Sequence, residues 1–147
     1  MASALEDKFA IIDRFYAYVY ALDETIDAQW LDCFTDDGTL RYKRSVDSDE
    51  LVIDVQGKER LTEWISNHKP SGRRRGIPGP LHHLVTNPRV TRLDGDRAEA
   101  VTYFVRVVRS SAGLLENCMT GRLHGRLRRC DDAAWRFEEF MVVDAID

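Results

Sequence analysis

Between residues 81 and 110 the chain reads LHHLVTNPRVTRLDGDRAEAVTYFVRVVRS. Apolar and polar residues alternate through most of this stretch, the period of a strand with one buried face. Asp94-Gly95-Asp96 interrupts the alternation with the residue types of a hairpin turn. The stretch is therefore read as two long strands, 81–92 and 97–110, folded back on each other. Downstream, 114–129 and 135–144 alternate in the same way, with Ser111-Ala112-Gly113 and Asp131-Asp132 at the bends. Four strands joined by short links predict an antiparallel meander.

Upstream of the meander the period changes. Ser3 and Glu6 stand three apart as a capping box, in which each side chain satisfies a backbone donor of a first helical turn. Leu5, Phe9, Ile12, Tyr16 and Val19 follow at steps of three and four, and Ile11, Phe15, Tyr18 and Leu22 form a second stripe beside them. An apolar face this wide predicts a helix buried on more than one side. A short second helix, capped by Thr25 or Asp27, is expected to carry Trp30, Leu31 and Phe34. Asp36-Asp37-Gly38 reads as a turn before a short strand, 39–43, and 51–55 as a further strand. Gly57 precedes a third helix, 58–68, with Leu61, Trp64 and Ile65 inward. The segment 70–80, PSGRRRGIPGP, is one long irregular loop. Helices first and a meander afterwards is an α+β pattern. Three helices would cover one face of a strongly curved, mostly antiparallel sheet and close a cone-shaped hydrophobic cup.

At 147 residues the chain has the size of one domain with a single core. Its net charge of −4 argues against nucleic acid, whose phosphates demand basic protein surface. No run approaches the roughly 20 apolar residues that span a bilayer, so no membrane partner is expected. Acids occupy the start where a signal peptide carries Lys or Arg, which predicts a cytoplasmic protein. Cys33, Cys118 and Cys130 are odd in number and form no Cys-x-x-Cys pair. That suits a reducing compartment and offers no zinc framework. The four histidines are scattered without ligand spacing, and no GxGxxG, Walker, HExxH or GxSxG motif is present. Neither a metal nor a nucleotide cofactor is expected.

Two residues break the apolar pattern in an informative way. Asp23 continues the stripe of Ile12, Tyr16 and Val19, where an apolar residue is due. A carboxylate at a helix C-terminus meets the negative end of the dipole, at a cost of about 0.3–1 kcal/mol, so Asp23 either has a raised carboxyl pKa, finds a buried donor, or is a solvated loop residue past the end of the helix. In the strand that opens at 81, His83 shares its face with Leu81 and Val85, whereas His82 points the other way. An imidazole in an apolar cup is either a satisfied core side chain or a group that passes protons near neutral pH, and pairing with a carboxylate such as Asp23, which fixes its tautomer, favours the second. Tyr16, Tyr18 and Tyr20 could donate hydroxyls to a substrate oxygen or serve as packing residues of the helix. Arg106 interrupts an apolar run on the face of Ala100, Thr102 and Phe104, where it could pair with a buried acid, bind a substrate oxygen or stand exposed. His124 alternates with Arg122 and Arg126, as an exposed, interfacial or cavity residue. Arg73-Arg74-Arg75 reads as a solvated loop or an anion-attracting lid.

Four stretches carry a family resemblance: Tyr18-Val19-Tyr20-Ala21-Leu22-Asp23, residues 30–38 (WLDCFTDDG), His83-Leu84-Val85-Thr86-Asn87, and Trp135-Arg136-Phe137. With them the chain resembles the SnoaL-like group of the nuclear-transport-factor-two superfamily, which also holds scytalone dehydratase, ketosteroid isomerase, lindane dehydrochlorinase and a bile-acid dehydratase. The resemblance implies that Asp23 pairs with His83 as the catalytic acid and histidine, and that Tyr18 occupies a tyrosine position of the isomerase and the bile-acid enzyme. It departs from the pattern at Phe140, where the dehydrochlorinase has Arg, and near Tyr42, where the isomerase has its base. The expectation is a cofactor-independent lyase, a dehydratase acting on a hydrophobic cyclic or polyketide-like molecule. An isomerase or cyclase, or a non-catalytic subunit such as a dioxygenase β subunit, are the alternatives. Tyr16, Trp30, Tyr42, Arg106, His124 and Phe140 are expected to bind the substrate. A homodimer, or alternatively a trimer, is expected, because the outer sheet face with Val101, Tyr103, Val105 and Val107 is apolar.

Overall fold

The computed structural model describes residues 2–68, 81–110 and 112–144, the side chains of 117 and 118 excepted. Helix α1 (Ala4–Asp23) opens on the expected box: the Ser3 N–H donates to Glu6 Oε2 at 2.6 Å and the Glu6 N–H to Ser3 Oγ at 3.3 Å. Its buried face is the second stripe, Ile11, Phe15 and Tyr18, joined by Val19. The first stripe instead faces outward, with Leu5 69% and Phe9 73% exposed and Tyr16 also exposed. Periodicity could not rank two apolar stripes, and a single sheet covers only one side of a helix lying on it.

Helix α2 (Asp27–Asp32) follows without a side-chain cap, after Thr25 turns the chain at φ 56°. Phe34 does not belong to it; it begins β1 (Phe34–Lys43), which runs through the expected turn at Asp36-Asp37-Gly38. The turn residues are absorbed as an irregularity: the register to the last strand shifts between Phe34 and Thr39. Strand β2 (Leu51–Gln56) pairs antiparallel with β1, and Gly57, at φ 87°, turns the chain into α3 (Lys58–Asn67). The 70–80 loop and its three arginines lie outside the described residues.

The meander is as expected, β3 (Leu81–Asp94), β4 (Arg97–Arg109), β5 (Leu115–Arg129) and β6 (Trp135–Asp144). The six strands form one open sheet in the order β2-β1-β6-β5-β4-β3, with β1 and β6 parallel and every other pair antiparallel. Gly125 makes room for α1 against it. A Cβ there would stand 2.8 Å from Phe15 Cζ and 2.7 Å from Phe137 Cε1. The missing side chain lets Phe15 rest edge-on against Phe137, ring centroids 5.0 Å apart, and closes that end of the core. Farther along α1, toward Asp23, the core gives way to a cavity. Among the described residues no helix is long and apolar enough to cross a membrane.

Candidate active site

The last residue of α1 and the third residue of β3 meet at the cavity. Asp23 Oδ1 lies 2.6 Å from His83 Nδ1, and Asp23 Oδ2 accepts the His83 backbone N–H at 2.7 Å. Both side chains are largely buried. The donors that a carboxylate at a helix C-terminus requires are thus supplied by one residue, 60 positions away. An ionised carboxylate only accepts, so a neutral His83 ring bonded to it through Nδ1 carries its proton there and leaves Nε2 with a lone pair. Charge-assisted bonds this short hold the ring in one orientation.

His83 opens onto a cavity of about 110 Å³ whose described walls come from α1, α3 and all six strands. Tyr18, Tyr42 and Arg106 are among the residues that line it. Tyr18 is stacked on Phe140, centroids 3.9 Å apart, and tilted against Trp30 at 5.6 Å. Trp30 and Phe140 are fully buried behind Tyr18 rather than in the lining, so they hold it in place. Tyr16 points away, into an outer groove between α1 and α2 that it shares with Tyr20. His124 is exposed, opposite Val101 of β4 and Met141 of β6. Neither reaches the cavity, because each sits on the outward phase of its own period. That groove and a charged depression around Arg97 and Arg136, about 660 and 790 Å³, are larger than the cavity but do not touch His83.

His68, just past the end of α3, is a lining residue that the sequence left unmarked. It stacks on Trp64, centroids 4.2 Å apart and planes 20° apart. The only available signal was its place four residues after an inward Trp, one helical turn on. Among the described residues no group of three His, Cys, Asp or Glu side chains is arranged to hold a metal ion.

Tyr42 is turned into an acceptor by its neighbour. Its hydroxyl donates to the buried Asp144 Oδ2 at 2.8 Å, so toward other groups the phenol oxygen offers lone pairs. Tyr42→Phe leaves that carboxylate oxygen buried without this donor, and the expected loss of stability is about 1–3 kcal/mol in urea unfolding. A change below 0.5 kcal/mol, roughly the level of an ordinary surface substitution, would mean that Asp144 does not depend on Tyr42.

Burial raises the Tyr18 hydroxyl well above its ordinary value of 10.0; the Trp30 indole pulls more weakly the other way, and Cys33 and Asp23 add small upward effects. Burial therefore keeps the Tyr18 hydroxyl protonated. The unfolded chain releases this proton near pH 10 and the folded chain does not. The contribution is complete below pH 10 and is lost as pH rises from there toward the folded value. Above pH 10 wild-type unfolding is expected to become about tenfold more favourable per pH unit relative to Tyr18→Phe, which has no proton to lose. Parallel denaturation curves for the two proteins from pH 8 to about pH 11 would contradict the assignment.

The comparisons with known proteins follow the same architecture. A model of the SnoaL-like domain matches residues 3–141. No curated protein sequence matches the chain. Among solved structures, a protein assigned as the β subunit of an aromatic-ring-hydroxylating dioxygenase from Novosphingobium aromaticivorans superposes with a TM-score of 0.80 at 20% identity, over 98% of this chain and 92% of its own. ActVI-ORFA from Streptomyces coelicolor gives 0.75 at 15% identity, over 97% and 98%. A protein assigned as a scytalone dehydratase from Novosphingobium aromaticivorans gives 0.69 at 14% identity, over 97% and 86%. At these identities the likeness is one of fold.

Proposed function

Because the chain belongs to the SnoaL-like family, we propose that it is a cofactor-independent lyase, a dehydratase that eliminates water from a cyclic β-hydroxycarbonyl compound. The observation that carries this reading is the 2.6 Å Asp23–His83 pair in the wall of a mostly apolar cavity. His83 Nε2 takes a proton from the carbon α to the carbonyl, and the bonding pair moves onto the carbonyl oxygen as an enolate. As the carbonyl reforms, the C–O bond to the β-hydroxyl breaks, and the departing oxygen takes the proton from the imidazolium. The products are an enone and water, and His83 is again neutral. Asp23 holds the ring and faces the imidazolium while it exists; Tyr18 donates to a substrate oxygen. An apolar cavity of 150 Å³ accepts benzene, so a cavity of about 110 Å³ suits no more than one ring, with any remainder of the substrate outside.

The test follows enone absorbance from 3-hydroxycyclohexanone, and deuterium exchange at its α-carbon in D₂O by NMR. Elimination that depends on His83 supports the reading. Exchange without elimination would favour an isomerase or cyclase, which begins with the same proton transfer. Neither signal, together with co-purification of a larger catalytic subunit, would favour the non-catalytic role. The dioxygenase β-subunit-like neighbour, at a TM-score of 0.80, is the observation behind that second reading.

A further inference from the structure

Arg106 is 8% exposed and lines the cavity. It is the register partner of His83 across β3 and β4, so the two side chains leave the same face of adjacent strands, with Cβ atoms typically about 4.5–5.5 Å apart. Among the described lining residues it is the one side chain with a permanent positive charge; the other titratable ones are Tyr18, Tyr42, His68 and His83. A guanidinium presents five N–H donors in a fixed fork, so Arg106 can keep its interaction within the protein and still donate to an oxygen in the cavity. We propose that Arg106 is the oxyanion-binding residue of this cavity, placed beside His83 to receive the enolate oxygen that forms when His83 removes a proton.

The proposal rests on the acid–base reading for where the charge appears. It adds a class of ligand: a ring-sized molecule whose carbon-bound oxygen is, or becomes, anionic. Tyr18 donates to such an oxygen without supplying charge, whereas Arg106 supplies it. Coulomb attraction at this range is strong in a partly dry site, and it favours the ionised form of any phenol bound there. A bound phenolate therefore stands in for the enolate, because both carry negative charge on an oxygen attached to trigonal carbon.

The experiment uses the whole protein and 4-nitrophenol, whose ionisation is read by visible absorbance. Bound to wild type, the probe is expected to ionise at least about one pH unit lower than in free solution, a preference for the anion of about tenfold or more. Arg106→Met should abolish that preference while still binding un-ionised 4-nitrophenol, and Arg106→Lys should restore part of it. His83→Ala, expected to slow turnover severely, should keep the preference, which separates failure of this proposal from failure of the acid–base reading. Circular dichroism checks the fold of each variant. Equal affinity of wild type for phenol and phenolate overturns the proposal, as does a preference that survives Arg106→Met. Absence of binding at millimolar probe overturns it too. If Arg106→Met does not fold, the wild-type titration and Arg106→Lys decide alone.

Discussion

His83→Ala is expected to lower the rate of elimination by about two to four powers of ten while thermal unfolding shifts little. The size follows from the role: His83 is the base, and a carboxylate 2.6 Å from Nδ1 holds its ring. The small effect on stability follows from the backbone. Asp23 Oδ2 accepts the N–H of residue 83 at 2.7 Å, a bond that no side-chain substitution removes. Asp23→Asn tests the pair from the other side. The amide still accepts that backbone N–H, but it no longer fixes Nδ1 as the donor or faces a positive ring, so a loss of similar order is expected. The double variant should be hardly worse than the more damaging single one, because the two side chains act as a unit. Rates within about fivefold of wild type in both single variants would remove the enzyme reading and leave the subunit reading standing.

Much of this site was legible in the sequence because each key residue violates a local pattern. Asp23 stands where α1 is owed an apolar residue, and His83 stands on an apolar strand face. Their meeting is a contact across 60 residues, which period and propensity do not encode, and family resemblance alone anticipated it. The meander strands were legible almost to the residue, since alternation and turn chemistry are local. The start of β1 was not. Asp36-Asp37-Gly38 has the composition of a turn, and the β6 pairings that flank it, Phe34 with Phe137 and Thr39 with Glu139, come from about a hundred residues later. The orientation of α1 was also hidden. Both of its stripes are apolar, and the choice between them depends on how the helix is fastened to the sheet.

That fastening is made by two aspartates, one at each end of α1, and the second large prediction concerns the first of them. Asp7 is 7% exposed in the opening turn. Its Oδ2 accepts from Arg129 Nη2 at 2.6 Å and its Oδ1 from the Trp135 indole N–H at 3.1 Å. The Arg129 guanidinium in turn lies over the Trp135 ring, 5.0 Å from its centroid. One carboxylate thus joins the helix to the end of β5 and the start of β6, as Asp23 joins its other end to β3. Asp7→Ala strands a guanidinium and a buried indole N–H together, and breaking a buried pair from one side costs about 3–5 kcal/mol. At about 2–4 °C per kcal/mol for a chain near this size, the expected fall in melting temperature is roughly 10 °C. Asp7→Asn keeps an acceptor for Trp135 and loses only the charge, so it should fall between. Arg129→Met combined with Asp7→Ala removes the stranded cation and should recover part of the loss, because an uncompensated buried charge is the larger share of the penalty. A shift below about 2 °C in Asp7→Ala would mean that apolar contacts alone set the lie of α1. In that case Gly125 and the Phe15–Phe137 contact, rather than the aspartate, would be what selects its buried stripe.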